Sequence, residues 1–119
     1  MNMKILCLED HQFYAGEIIE QLREQKHDVD YADSWEDAER LMKNGKIYDV
    51  SILDVILKNG KTGVLFAEKW NENLGRILFI TGCIDDITIK TVNKWSAISK
   101  MGIVWKKLEH FLSGGECKI

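Results

Sequence analysis

The 119-residue chain has no proline, where average usage of about 5% would supply roughly six. That absence excludes collagen-like chains, proline-rich linkers and mucin-like stalks. Cysteine is sparse as well: Cys7, Cys83 and Cys117 are far apart, odd in number and form no CxxC pair. Neither a zinc ribbon nor a thioredoxin-type motif is available, and an odd count fits a reducing compartment. Long apolar runs are missing too. The first, Ile5 to Leu8, is cut off by Glu9 and Asp10, too short for a signal peptide or a membrane span, so the cytoplasm is the expected location. An excess of positive charge is also lacking, since the formal net charge is −3, and this argues against direct nucleic-acid binding.

What remains is one domain's worth of chain, 45% hydrophobic, long enough to bury a core without disulfides or a structural metal. Met3–Leu8 reads as a buried strand, and from Phe13 apolar residues recur at helical spacing through Tyr14, Ile18, Ile19 and Leu22. Val29–Ala32 alternates as a strand. Ser34, with Asp37 three residues on, resembles a capping box, and the helix it opens stops near Asn44-Gly45. Tyr48–Leu53 is a second strong strand closed by Asp54, followed by a loop with Gly60 and Gly63 and a helix over about 64–70. Arg76–Thr81 is the most apolar strand, Asp85-Asp86 opens a helix carrying Ile87, Thr91, Val92 and Trp95, and Met101–Trp105 reads as the last strand. Leu108, Phe111 and Leu112 make a closing helix. Five alternations of strand and helix predict a doubly wound α/β fold with a five-stranded parallel sheet. The domain is expected over 1–113, with 114–119 as a short C-terminal tail and no output domain. Charge is uneven: residues 1–75 hold 9 basic and 15 acidic side chains, and 76–119 hold 7 and 4.

In an open parallel sheet, ligands bind beyond the carboxyl ends of the strands. The residues closing these strands are Glu9-Asp10, Asp54, Thr81 and, for a strand over Met101–Trp105, Lys106. Each alone has a plain structural reading: acids favour helix N-termini, aspartate forms turns, threonine caps. Together they place three carboxylates, a hydroxyl and an amine on one sheet edge. Clustered carboxylates repel unless something positive holds them, and a hard cation such as Mg²⁺ (or Mn²⁺) would do so. Carboxylate-held Mg²⁺ commonly also takes phosphoryl oxygens, to which Thr81 and Lys106 are suitable donors.

Leu8-Glu9-Asp10, Leu53-Asp54-Val55-Ile56-Leu57 with Gly60 and Gly63, Phe79-Ile80-Thr81-Gly82 and Lys106 resemble the motifs of the receiver domain of bacterial two-component response regulators, over 3–112. The resemblance implies the (βα)5 flavodoxin-like fold and a phosphoacceptor signalling domain rather than an enzyme. Asp54 would take the phosphoryl group, Asp10 would ligate Mg²⁺, Glu9 would hold it through water, and the Ile56 backbone carbonyl would complete the protein ligands. Thr81 and Lys106 would bind phosphoryl oxygens, and Gly82 would leave room for the group. The implied partners are a sensor histidine kinase or phosphotransfer protein and a downstream protein target, met through the last two helices and the strand between them. Neither nucleic acid nor membrane is an expected partner, and the chain would be a monomer or a phosphorylation-dependent dimer.

The departures from the family are local. An aromatic usually stands three residues before the lysine, where counting from Lys106 gives Ile103. Prolines usually stand four residues after the phosphoacceptor and directly after the lysine, where this chain has Lys58 and Lys107. The Lys106–Lys107 bond is therefore expected trans, and Lys107 competes with Lys106 for the inward role. Ile56 and Cys83, two residues after Asp54 and Thr81, cannot orient a water, which predicts slow autodephosphorylation. Trp95 and Trp105 read as packing residues. Gly60-Lys61-Thr62 falls short of a phosphate loop, because Val55 stands where its first glycine is needed. The alternative reading is a pseudo-receiver, an interaction module that does not use phosphate.

Overall fold

The computed structural model describes residues 2–82, 85–101 and 104–119. Along the chain run β1 (Lys4–Leu8), α1 (Gln12–Glu24), β2 (Asp28–Ala32), α2 (Trp35–Lys43), β3 (Val50–Asp54), α3 (Gly63–Lys69), α4 (Asn71–Leu74), β4 (Arg76–Thr81), α5 (Asp86–Val92), β5 (Ser96–Ser99) and α6 (Val104–Leu112). The strands form one parallel sheet in the order β2-β1-β3-β4-β5. The doubly wound five-stranded sheet expected from the sequence is present.

Alternation along the buried strands feeds two cores. Leu6, Leu8, Leu53, Phe79 and Ala97 pack with Ala38 and Met42 of α2, Phe66 and Ala67 of α3 and Val92 of α5. Ile5, Cys7, Ile52, Leu78, Ile80 and Ile98 face the other way, onto Ile18, Ile19 and Leu22 of α1 and Leu108 and Phe111 of α6. Period-two side-chain direction thus splits each strand between two helical layers. Trp95 packs edge-on against Phe79, 5.1–5.4 Å being the centroid range of the two such pairs, and Trp105 packs against the α1–α6 core. Both are packing residues. Helix starts follow local chemistry: Ser34 Oγ accepts from Asp37 N, Thr62 Oγ1 from Leu65 N and Asp85 from Thr88 N.

The fifth strand lies elsewhere than the sequence suggests. It is Ser96–Ser99, paired from Leu78↔Ser96 to Thr81↔Ser99, while Val104 and Trp105 belong to α6. Met101–Trp105 is richer in apolar side chains, but Val104, Leu108 and Phe111 recur at helical spacing, which places Val104 on the inner face of α6. Ser96-Ala97-Ile98-Ser99 has only two apolar residues, each sent to a different core. Its outer edge is covered by the last residues of the chain. Ala97 N donates to Cys117 O at 2.9 Å, and Cys117 N donates to Ser96 Oγ at 3.2 Å. The stretch expected as a tail is packed against the edge strand, which masks its unpaired backbone groups.

Candidate phosphoacceptor and metal site

The register sets the site. Leu8 lies beside Leu53, Asp54 beside Ile80 and Thr81 beside Ser99, so the residues at these strand ends gather along one edge. Glu9, Asp10 and Asp54 each offer a carboxylate oxygen, all within 4.8 Å of one another. Glu9 is 4% exposed, Asp54 6% and Thr81 1%, so the site is a pit rather than a solvated rim. The loop after β3 closes on itself through Leu57 N to Lys61 O at 2.9 Å, and Gly63 N donates to Val55 O at 2.8 Å. Gly63 has no freedom to be anything larger, since a Cβ there would collide with the carbonyl oxygen of Asp54. The bare Gly63 lets α3 start against the strand that carries Asp54.

The cation of the site is Lys100, not Lys106. Lys100 Nζ lies 3.0 Å from Glu9 Oε2 and 3.2 Å from Asp54 Oδ2. Its backbone N donates to Thr81 O at 2.9 Å, which carries the β4–β5 pairing one residue further. Lys106 and Lys107 stand exposed in the middle of α6, and neither closes a strand. The error follows directly from the strand assignment: once β5 ends at Ser99, the lysine that closes it is Lys100. Helical spacing of Val104 with Leu108 and Phe111 was the sequence signal that could have found it. No cis peptide bond occurs among the described residues, and the Lys106–Lys107 bond lies inside a helix. Ile103, where the family has an aromatic, and Cys83, which bears on phosphate lifetime, lie outside the described residues. Counted from Lys100, the position three residues earlier is Ala97, 1% exposed.

Electrostatics follow from burial. Burial first, and then the Asp54 charge, push the Glu9 carboxyl up to about 7 against the pull of Lys100 and the His11 amide. Burial pulls Lys100 down, but hydrogen bonds and charge from Glu9 and Asp54 outweigh it and hold the amine above its ordinary value. Behind the site, burial and the same two acids raise the Cys7 thiol to about 12, so it is a neutral core residue. The donor set fits a divalent cation: three clustered carboxylates outnumber the one ammonium beside them, and all the donors are hard oxygens. Ile56 lies in the loop after Asp54 and is 58% exposed. At Gly82, added bulk would meet Lys100 Cδ among the described residues, 3.9 Å from an ideal Cβ.

No protein-family model matches the chain, and no curated protein sequence does. Solved structures do. A two-component response regulator from Clostridium difficile superposes with a TM-score of 0.80 at 20% identity, covering 93% of this chain and 96% of that one. The receiver domain of the hybrid histidine kinase CckA gives 0.74 at 22% identity, covering 92% and 96%. A response regulator from Burkholderia pseudomallei with a phosphorylated aspartic acid, calcium ion and citrate gives 0.76 at 20% identity, covering 88% of this chain and 64% of that one. The sheet order, the two helical layers and these superpositions together give the chain the fold of response regulator receiver domains.

Proposed function

We propose that the chain is a phosphoacceptor of two-component or phosphorelay signalling, with Asp54 as the accepting carboxylate. The observation that carries this reading is the buried cluster of Glu9, Asp10 and Asp54 bridged by Lys100 at the end of a receiver-type sheet. Glu9, Asp10, Asp54 and the Ile56 carbonyl would hold Mg²⁺ or Mn²⁺, which supplies charge neutralisation for phosphoryl oxygens. An Asp54 oxygen attacks phosphorus of a phosphohistidine on a kinase or phosphotransfer protein. The new O–P bond forms as the N–P bond breaks, and the imidazole leaves with a proton. Lys100 is the amine that meets the incoming charge, Thr81 is the hydroxyl beside it, and Gly82 keeps that side open. The protein's part is positioning and charge compensation, which suits phosphoryl transfer.

Mg²⁺-dependent labelling with acetyl phosphate tests the reading: wild type takes up an acid-labile, base-sensitive label, and Asp54→Asn does not. Label retained by Asp54→Asn would overturn the assignment. The pseudo-receiver reading has its own support, since Lys100 already balances part of the acid charge and Ala97 stands where the family usually has an aromatic. Absence of label with every small phosphodonor and kinase tried would favour it. Among the described residues no helix is long and apolar enough to cross a membrane.

A further inference from the structure

Lys100 has an aromatic neighbour that the phosphoacceptor reading does not use. Its Nζ stands 5.0 Å from the centroid of the Tyr14 ring, on α1, while its hydrogen bonds go to Glu9 at 3.1 Å and Asp54 at 3.2 Å. Tyr14 is held from behind: its backbone N donates to His11 Nδ1 at 3.3 Å, the cap that starts the helix. The Tyr14 hydroxyl is buried and has no hydrogen-bond partner among the described residues. A buried hydroxyl without a partner is a cost, so the ring face is the part of this side chain that acts on the site.

A lysine stem has four rotatable bonds, and among the described residues the contacts that hold this one's ammonium are Glu9, Asp54 and the Tyr14 ring. Among the described residues, a Cβ at Gly82 would meet just the Lys100 stem, and the residue after Lys100 is the exposed Met101 rather than a ring-constrained proline. On the α1–α6 side lies a cavity of about 240 Å³ lined by Tyr14, Glu17, Gln21, Lys100, Val104 and Trp105. Glu17 is a carboxylate in that cavity, a competing destination for the ammonium. The Tyr14 ring lines the same space and offers its negative face to the charge.

We propose that Tyr14 is a positioning residue for Lys100: its ring face keeps the ammonium on Glu9 and Asp54 and away from Glu17. The consequence for phosphotransfer rests on the phosphoacceptor reading; the placement of the lysine does not. Two measurements separate them. In NMR spectra the Lys100 Hε protons are expected upfield in wild type and Tyr14→Phe, from the ring current, and at ordinary shifts in Tyr14→Leu. Labelling of Asp54 by acetyl phosphate is expected at the wild-type rate in Tyr14→Phe and about fivefold slower in Tyr14→Leu, the scale of a partly desolvated cation–π contact. Adding Glu17→Gln to Tyr14→Leu should restore part of the rate. Unshifted Lys100 protons in wild type, or a Tyr14→Phe variant as slow as Tyr14→Leu, would overturn the proposal. Should wild type itself take no label, the phosphoacceptor reading fails, and the Hε shifts still decide where Tyr14 holds the lysine.

Discussion

β3 and β5 end on the same edge of the sheet, separated by one strand, yet their sequences announce those ends very differently. Every residue of Val50–Asp54 is buried, and the strand stops on a carboxylate in a run that is otherwise apolar except for Ser51. Ser51 spends its hydroxyl on Leu74 O at 2.8 Å, so even that exception is satisfied inside the fold. β5 is four residues, half of them serine, and Cys117 meets its Ser96 hydroxyl and Ala97 amide while Ser99 Oγ accepts from Met101 N. A central strand carries its environment in its own composition. An edge strand borrows part of its environment from chain that arrives later, and no local pattern records that.

Replacing the lysines tests the comparison hardest. Lys100→Met leaves Glu9 and Asp54 facing one another, both nearly buried, and without Mg²⁺ it should destabilise by about 3 kcal/mol in urea melts. Lys106→Met, on an exposed helix position, should stay within about 0.5 kcal/mol of wild type. Equal effects would undo the assignment of the site lysine. Gly63→Ala acts at the β3 end by pressing a methyl on the Asp54 carbonyl, and should cost about 2 kcal/mol by the same melts. At the β5 end, Ser96→Ala orphans the Cys117 amide and should cost about 1 kcal/mol. Faster hydrogen exchange at Ala97 than at Ile52 in that variant would locate the loss on the edge strand.

The smallest expected effect lies away from both ends. Glu39 bonds Lys69 Nζ at 2.7 Å, and that hydrogen bond, ahead of its charge, holds the carboxyl down at about 2. Its folded value is below its unfolded one, so the contribution is present above the ordinary carboxylate range and lost as pH falls towards 2. Glu39→Gln should flatten that acid limb of the stability curve while leaving stability near neutral pH little changed. An unchanged acid limb would show that the contact does not persist in solution.

Sequence alone was enough for the five parallel strands in two-layered packing, for Glu9, Asp10, Asp54 and Thr81 as strand-end residues, for the capping role of Ser34 and for a helix opening at Asp85-Asp86. Those features rest on local periodicity and on polar residues that interrupt long apolar runs, both of which are written in neighbouring positions. It misplaced the fifth strand and so named Lys106 in place of Lys100, because apolar content favoured Met101–Trp105 over Ser96–Ser99. It also left unread the short α4 and the docking of residues 116–119 on β5. Only the tertiary structure decided these, since each depends on contacts between distant stretches of chain. The absence of proline, visible from the first, marks a lysine that proline does not follow; which lysine it is, and that an α1 tyrosine stands over it, required the fold.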